Sequence, residues 1–373
     1  MIPNSCQSQW PDPQTAQQLA EALLAYYDRQ GRSLPWRGEG DLYRIWVSEI
    51  MLQQTGVKTV IPYYGRFLER FPSVSALASA DLADVLHLWQ GLGYYRRARN
   101  LHAAALLIRH EQGGQLPQRL EQWQALPGIG PSTAAAILAI GCNQPHAILD
   151  GNVKRVLSRY IALREPVESG AGKKILWQMA RRLTPSQRPG DYAQAIMDLG
   201  ATLCTRTKPD CPRCPWQSGC RACQLGEQAQ FPVKKGRKKA KPHQFQIATL
   251  IQDKEGRLLV CLRPETGLLA GLWEPPGQQL DPTTKPPSLD QVSKQLKAWG
   301  ISGEKSEFAG VINHTFTHFH LTVYTYRVAY QGGCLTGYKA QEYGWLTEDE
   351  IQQLPRSTLH KKIMALGWES GPG

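Results

Sequence analysis

Four cysteines lie within seventeen residues of this chain, and their spacing limits what that segment can fold into. The gaps between them contain six, two and five residues, a C-x6-C-x2-C-x5-C pattern formed by Cys204, Cys211, Cys214 and Cys220. Thiolates prefer soft metals, and four on one loop suit tetrahedral zinc or a cluster of four irons and four sulfides. Structural zinc usually takes two close C-x2-C pairs, and the first gap here is too wide for one. The pattern therefore favours a 4Fe-4S cluster held by residues 204–220.

A second choice of cysteines keeps zinc open as an alternative. Cys223 follows Cys220 after another two-residue gap, so a zinc quartet is possible, although its central spacer is short: Cys211, Cys214, Cys220 and Cys223. Disulfides are a weaker alternative, because the nine cysteines are odd in number and five of them crowd into this one segment.

Composition and charge limit the kinds of protein that this chain can be. The 373 residues are 42% hydrophobic and 20% charged, which is ordinary for a globular protein of two or three domains. The sequence contains neither an apolar run of membrane-spanning length nor the pattern of a signal peptide, so we expect a cytoplasmic protein with no membrane partner. Its formal charge of +12 favours a polyanionic partner, and nucleic acid is the first candidate.

Helical periodicity dominates the first part of the chain. Apolar residues recur at helical spacing through residues 14–224, and Asp41 and Asp81 are placed to begin helices. This half is therefore predicted to be all-helical.

The pattern changes after a basic segment. Six of the eight residues in 234–241 are Lys or Arg, which predicts a linker over residues 226–241. Beyond it, alternating apolar residues predict strands, with a hairpin turn at residues 254–256, and helices are expected to begin at Ser288 and Thr347. This second half is predicted to be a mixed α and β domain.

A glycine-rich turn joins two predicted helices at LPGIGPSTAAAILAIG, residues 126–141. Gly128 and Gly130 would let the backbone approach a phosphate, and the start of the second helix would favour the anion. This helix-hairpin-helix pattern, predicted over residues 118–141, would hold a DNA backbone without reading its sequence. A structural corner is the alternative interpretation.

Asp150 stands before the helix of LDGNVKRVLSRY. It could be an ordinary N-cap, or a carboxylate held beside a sugar cation. The helix N-terminus is expected to keep it ionised, because the dipole and the free N–H groups stabilise the charged form.

These motifs together resemble the helix-hairpin-helix DNA glycosylases. Residues 34–64, LPWRGEGDLYRIWVSEIMLQQTGVKTVIPYY, and residues 91–101, GLGYYRRARNL, resemble the adenine DNA glycosylase (MutY) family in particular. The resemblance covers about residues 15–350. It implies a nucleoid-associated, monomeric repair enzyme that acts on double-stranded DNA. In this family, adenine paired with 8-oxoguanine or guanine is flipped out of the duplex and its glycosidic bond is hydrolysed, which leaves an abasic site.

The same resemblance implies roles for particular side chains. Glu49 matches the general acid and base, and Asp150 matches the group that stabilises the cationic sugar, with Asn152 beside it among the catalytic residues. Glu49 must then have a raised pKa, which its apolar neighbours could supply by desolvation. Further positions match residues that line the adenine pocket or enter the duplex: Trp36, Arg37, Leu52, Gln54, Tyr94 and Gln194.

Position 132 separates two branches of this superfamily. Endonuclease III-like enzymes have a lysine there, whose amine attacks the sugar and cleaves the strand. Ser132 occupies the position here, so the resemblance implies base removal by water alone.

The second domain resembles the Nudix-like recognition domain of the same family. The segment SKQLKAWGI lacks the carboxylates that Nudix hydrolases use to bind metal, so nucleotide hydrolysis is not expected. The segment HTFTHFH instead matches the loop that inspects oxidised guanine, with Phe316, Thr317 and His318 at its three key positions.

The sequence thus predicts a multidomain protein. An all-α helix-hairpin-helix glycosylase domain with its iron-sulfur loop would occupy residues 1–225, and an α+β Nudix-like domain residues 242–373. Two rivals remain: an endonuclease III-like glycosylase and lyase acting on oxidised pyrimidines, and a non-catalytic iron-sulfur protein that binds DNA.

Overall fold

A computed structural model describes residues 10–38, 40–236, 240–281 and 286–368. The chain divides into two compact units: residues 1–79 and 100–238 form the first, and residues 80–99 and 239–373 form the second. Part of the predicted linker, residues 237–239, lies outside the described residues.

Helices build the regular structure as far as residue 230, as the periodicity predicts. In chain order they are α1 (Pro13–Gln30), α2 (Leu42–Leu52), α3 (Val57–Arg70), α4 (Val74–Ala78), α5 (Leu82–Leu88), α6 (Arg96–Gln112), α7 (Leu120–Ala125), α8 (Pro131–Cys142), α9 (Gly151–Tyr160), α10 (Gly170–Leu183), α11 (Pro189–Asp198), a π-helical turn (Leu199–Leu203), α12 (Arg221–Gln224) and short 3-10 turns at Cys211–Arg213 and Gln228–Gln230.

Local capping explains several of these helix starts. The Asp41 carboxylate accepts the backbone N–H of Tyr43 at 2.9 Å and of Arg44 at 3.1 Å, which confirms it as the cap of α2. Asp81 precedes α5 as predicted, which confirms where this helix begins. Its side chain makes no capping hydrogen bond there.

The core of the first unit lies between α1 and the helices after residue 131. Side chains that point inward from α1, α8, α9, α10 and α11 make one apolar cluster, because each helix carries its apolar residues on one face. Members with no more than 1% of their surface exposed include Leu23, Ala139, Val153, Leu157, Leu176, Met179, Leu183 and Leu199.

The second unit contains a mixed seven-stranded sheet. Its strands are β1 (His243–Gln252), β2 (Leu258–Leu262), β3 (Trp273–Glu274), β4 (Gly277–Leu280), β5 (Ile301–Thr315), β6 (His320–Gly333) and β7 (Glu342–Leu346), and its later helices are α13 (Leu289–Ala298), α14 (Glu348–Gln353) and α15 (Thr358–Ala365). The order is β3-β2-β1-β6-β5, with β4 on β1 and β7 on β2. Strands β1 and β6 run parallel.

Apolar side chains of β1 point alternately to the two faces of the sheet, and a helix packs on each face. Ile247 and Ile251 pack in a cluster with α13, whereas Ala248 and Leu250 pack in another with α15. The predicted hairpin after β1 is confirmed, with Gln252 opposite Leu258.

Two helix starts predicted for this half are also confirmed. Ser288 and Thr347 each form a capping box, at α13 and α14 respectively.

None of the described helices has both the length and the apolar character required to cross a bilayer.

Candidate active site

A cavity of about 830 Å³ opens in the first unit where α2, α8, α9 and α11 meet. Glu49 reaches it from α2, and Asp150 reaches it from the start of α9. Most of the residues singled out from the sequence for this half line the same space: Trp36, Arg37, Glu49, Leu52, Gln54, Gly130, Ser132, Asp150, Asn152 and Gln194. Side chains up to 160 residues apart in sequence are therefore brought together around one opening.

Glu49 faces this cavity from a helix most of whose other residues are buried. Trp46, Val47 and Ile50, its neighbours on α2, are at most 2% exposed. Burial and, to a smaller extent, the charge of Asp150 raise the pKa of Glu49 to about 7, against the opposing charge of the Arg37 guanidinium. A carboxyl group with this pKa holds a proton about half of the time at neutral pH.

Asp150 is the N-cap of α9. Its Oδ1 accepts the Val153 backbone N–H at 2.7 Å, and the Asn152 side-chain amide donates to its Oδ2 at 3.3 Å. Burial nevertheless raises the pKa of Asp150 above its usual value, against these donors and the charge of Arg155. Desolvation thus outweighs the donors of the helix terminus in setting this pKa, and the ionised state of Asp150 stays a prediction.

Ser132 forms a hydrogen bond that joins two backbone segments of the site. Its hydroxyl accepts the backbone N–H of Leu149 at 2.9 Å, which ties the start of α8 to the residue before Asp150. The side chain thus helps to fix the segment that delivers the carboxylate.

The glycine turn before α8 has the shape that its sequence predicts. Gly128 has φ of +76°, and a Cβ there would lie 2.8 Å from Cβ of Asn100, so both the backbone conformation and the space require glycine. Gly130 is the N-cap of α8, and the Gln53 amide donates to the Gly128 carbonyl at 3.3 Å.

Asp198 is the main site residue that sequence reasoning missed. It is 2% exposed at the end of α11, and it binds two arginines. Arg32 donates to Oδ1 through Nε at 2.9 Å and Nη2 at 2.6 Å, and Arg37 donates to Oδ1 at 2.7 Å and Oδ2 at 2.9 Å. Burial raises the pKa of Asp198, but the arginine hydrogen bonds outweigh it and hold the value below normal. Its signal in the sequence is weak, an acid that follows the apolar residues at the end of α11.

Two of the residues singled out for entering DNA have left-handed backbones. Gln54 has φ of +59° and Tyr94 has φ of +50°, a region that residues other than glycine rarely adopt. Gln54 is exposed at the rim of the cavity, and Tyr94, which belongs to the second unit, exposes 45% of its surface. Strained residues of this kind cluster at functional sites.

Within the second unit, the turn between β5 and β6 contains the predicted recognition residues. The Phe316 N–H donates to the Phe319 carbonyl at 2.9 Å, and the two rings stack with centroids 4.7 Å apart. Thr317 and His318, between them, are exposed, and the Thr317 hydroxyl lies 3.3 Å from the Tyr94 hydroxyl. The fold therefore brings Tyr94 to this turn, although 223 residues separate it from Thr317.

The cysteines of the 204–220 segment surround a small cavity of their own, and Cys223 also lines it. As placed, no three His, Cys, Asp or Glu side chains among the described residues could hold a single metal ion. The donor set nevertheless fits a cluster: several thiols face one enclosed space, and N–H groups reach two of the sulfurs. Arg159 donates to Cys204 Sγ at 3.3 Å, and Gln228 donates to Cys211 Sγ at 3.7 Å.

Two arginines of α9 link this segment to the active site. Arg155 donates to the Cys204 carbonyl at 2.8 Å and to Asn152 Oδ1 at 2.8 Å, and Asn152 in turn contacts Asp150. Arg159 is 2% exposed and donates to carbonyls of Thr205, Arg206 and Gln228. A chain of hydrogen bonds through Asn152 and Arg155 therefore connects Asp150 to the backbone of the first cysteine of the segment.

Comparisons with known families divide the chain in the same way as the sequence motifs. A family model described as HhH-GPD superfamily base excision DNA repair protein matches residues 47–180, and a NUDIX domain model matches residues 247–366. These matches agree with an all-α helix-hairpin-helix part followed by a Nudix-like part.

Individual relatives point to one enzyme family. The adenine DNA glycosylase of Homo sapiens is 36% identical over 408 residues, covering 94% of this chain and 74% of the relative. That of Buchnera aphidicola subsp. Baizongia pistaciae (strain Bp) is 42% identical over 219 residues, 58% of this chain and 62% of its own length. Among solved structures, a thermostable thymine-DNA glycosylase matches with a TM-score of 0.50 and 24% identity, covering 56% of this chain and 97% of that one, a likeness of fold.

Proposed function

Because this chain belongs to the adenine DNA glycosylase family, we propose that it removes adenine paired with 8-oxoguanine from duplex DNA, by hydrolysis and without cutting the strand. The observation that carries the proposal is the cavity shared by Glu49 and Asp150. Two carboxyl groups with different tasks are what the cleavage of a glycosidic bond requires.

Glu49 is the proposed acid. With a pKa of about 7, its carboxyl group can donate a proton to a ring nitrogen of the flipped adenine. The bond between C1′ and the base then breaks, and its electron pair leaves with the protonated base. The Glu49 carboxylate that remains accepts a proton from the water that adds to C1′, which restores the acid.

Asp150 is the proposed partner of the cationic sugar. Its carboxylate is fixed by the Val153 N–H and the Asn152 amide, so little reorganisation is needed when positive charge develops on the sugar. The raised pKa of Asp150 is consistent with this role, because an adjacent cation would stabilise the charged form that burial disfavours.

The adenine would occupy the space between Trp36, Arg37 and Gln194, which line the same cavity. Trp36 offers an aromatic face, and Gln194 offers both a donor and an acceptor for a base edge. Arg37 is held by Asp198, so its guanidinium is oriented before any base arrives.

Gln54 and Tyr94 are the side chains proposed to enter the duplex where the base has left it, since both are exposed and both have strained backbones.

Ser132 supports the hydrolytic part of the proposal. Strand cleavage by this superfamily needs an amine at that position, and the serine hydroxyl here is engaged by the Leu149 N–H. Water is then the nucleophile.

The residues that would hold the 4Fe-4S cluster are Cys204, Cys211, Cys214 and Cys220. The cluster would supply a rigid structural centre for this segment. The chain's own contribution is the hydrogen bonding of Arg155 and Arg159, which fixes the backbone of the first of these cysteines relative to α9.

A single-turnover assay tests the proposed reaction. The substrate is a duplex with one adenine opposite 8-oxoguanine, beside a control duplex with adenine opposite thymine. We expect free adenine and an abasic strand that breaks only after heating in alkali. Failure to release adenine would contradict the activity, and strand breakage without alkali would contradict the hydrolytic mechanism.

The turn between β5 and β6 should determine the preference for the oxidised base. In the double variant Phe316→Ala with His318→Ala, we expect the preference for 8-oxoguanine over guanine opposite adenine to fall about tenfold or more, because contacts of one to two kcal/mol are lost, about a factor of ten in affinity. The maximal single-turnover rate on the 8-oxoguanine duplex should change much less.

The control replaces a phenylalanine and an exposed histidine elsewhere in the chain, Phe308→Ala with His110→Ala. An unchanged preference in the Phe316 and His318 variant, or an equal loss in this control, would exclude the turn as the recognition element.

A further inference from the structure

The segment between α5 and α6 carries Tyr94 in a backbone conformation that needs support from its neighbours. Gly93 and Tyr94 have consecutive left-handed φ values, +75° and +50°, and only the first of the two is glycine. A tyrosine in this region is strained, and it stays there only when surrounding groups hold it. Because 45% of the Tyr94 surface is exposed, that support must come from the groups on its inner side.

Arg97 supplies hydrogen bonds to this bend from the first turn of α6. Its Nη2 donates to the Gly93 carbonyl at 3.0 Å and to the Leu92 carbonyl at 3.3 Å, so one guanidinium holds both peptide units before Tyr94. The backbone N–H of Arg97 also donates to the Tyr94 carbonyl at 2.8 Å. Three consecutive carbonyls of the bend therefore accept hydrogen bonds from a single arginine.

The same guanidinium also lies against the Tyr94 ring. Its Cζ is 5.4 Å from the centroid of that ring and 5.4 Å from the centroid of Trp89, which is fully buried. Cation–π contacts at this distance attract the charge to both rings. Trp89 in turn donates through Nε1 to the Gly93 carbonyl at 3.1 Å, so it fixes the same bend. Arg97 is therefore placed to hold the side chain of Tyr94 as well as its backbone.

We infer that Arg97 is a positioning residue for Tyr94, which it holds in the conformation that presents the tyrosine ring to DNA. Without the guanidinium, Tyr94 can relax to the negative φ that a tyrosine ordinarily adopts. The competent conformation is then only a fraction of the population, and the rate of base release falls by that fraction. The inference rests on the proposed function only in the entry into the duplex that it assigns to Tyr94.

Four variants of the full-length chain test this inference: Arg97→Gln, Tyr94→Ala, Arg97→Gln/Tyr94→Ala and, as the matched control, Arg96→Gln. Arg96 is the adjacent arginine of α6, but it is exposed, so its replacement removes the same charge without releasing the bend. The first measurement is the single-turnover rate of adenine release from the 8-oxoguanine duplex at saturating enzyme. We expect about a tenfold loss in each single variant at 94 or 97 and no further loss in the double variant, because both changes remove the same step.

A second measurement needs no chemistry. The fluorescence of 2-aminopurine placed beside the 8-oxoguanine should rise when saturating protein binds, since an entering side chain separates the base from its neighbour. We expect this rise with the unaltered protein and with Arg96→Gln, and we expect most of it to be lost in the other three variants. A normal rise without release of adenine would contradict the proposed activity and not this inference.

The result that overturns the inference is a double variant about tenfold slower than Tyr94→Ala, because Arg97 would then act on something other than Tyr94. A normal rate in Arg97→Gln or in Tyr94→Ala, an equal loss in Arg96→Gln, or an unaltered protein that produces no fluorescence rise would also overturn it. If Arg97→Gln does not fold, Arg97→Lys replaces it in both measurements. Lysine keeps the buried charge but lacks the planar guanidinium that lies against the ring, so losses in the same direction are expected.

Discussion

Glu49→Gln should lower the single-turnover rate of adenine release by about 1,000-fold or more, while binding of the mismatched duplex stays within a few-fold of the unaltered protein. Glutamine keeps the shape of the side chain but has no proton to donate at neutral pH, so the adenine would leave as an anion. Rates are measured by trapping free adenine from a saturating excess of enzyme, and binding is measured by titration of the same labelled duplex.

Folding is checked in the same variant. Because the pKa of Glu49 is raised from 4.5 to about 7, the protein loses stability as the pH rises through this window and the buried carboxyl ionises. The neutral glutamine avoids that loss, so the variant should be at least as stable as the unaltered protein at alkaline pH.

The matched control for the rate is Glu69→Gln, which replaces an exposed glutamate of α3 and should retain the full rate. A Glu49→Gln protein that releases adenine within tenfold of the normal rate would refute the assignment of the acid.

Asp198→Asn should destabilise the first unit and shift the pH dependence of catalysis. Asp198 is the shared carboxylate of Arg32 and Arg37, whose side chains are 28% and 11% exposed. Removing one partner from a buried ion pair costs about 3 kcal/mol of unfolding free energy. The uncompensated Arg37 charge would also lower the pKa of Glu49, so the decline in rate should begin at a lower pH.

The control for this prediction is Asp191→Asn. Asp191 pairs with Arg188 at 2.8 Å, but both side chains are well exposed, so its loss should cost less than about 1 kcal/mol. Denaturant unfolding gives the stability, and rates at several pH values give the shift. An Asp198→Asn protein with normal stability and an unchanged pH profile would show that the two arginines do not depend on this carboxylate.

Local signals in the sequence were sufficient for the change from helices to strands and for several helix starts. Periodicity separated the helical half from the sheet, and cap residues such as Asp41 and Ser288 fixed where helices begin, because these features depend on neighbours in the chain. The resemblance of residues 34–64 to a known family singled out Glu49, and the fold places it with Asp150 at one cavity.

Long-range contacts were the part that the sequence could not supply. Asp198 meets Arg32 across 166 residues, and no motif marks the last residue of α11 as a partner for two arginines. The contact between Tyr94 and Thr317 spans 223 residues. The raised pKa of Asp150 has a related cause: the helix terminus is visible in the sequence, but the burial that opposes it is a property of the packed site.

The pH dependence of adenine release tests the central claim most directly, since the claim is that a carboxyl group with a raised pKa protonates the base. A catalytic acid with a pKa of about 7 loses its proton as the pH rises, so the single-turnover rate at saturating enzyme should fall about tenfold per unit above about pH 7.5. A rate that stays constant from about pH 6 to about pH 9 would contradict the account.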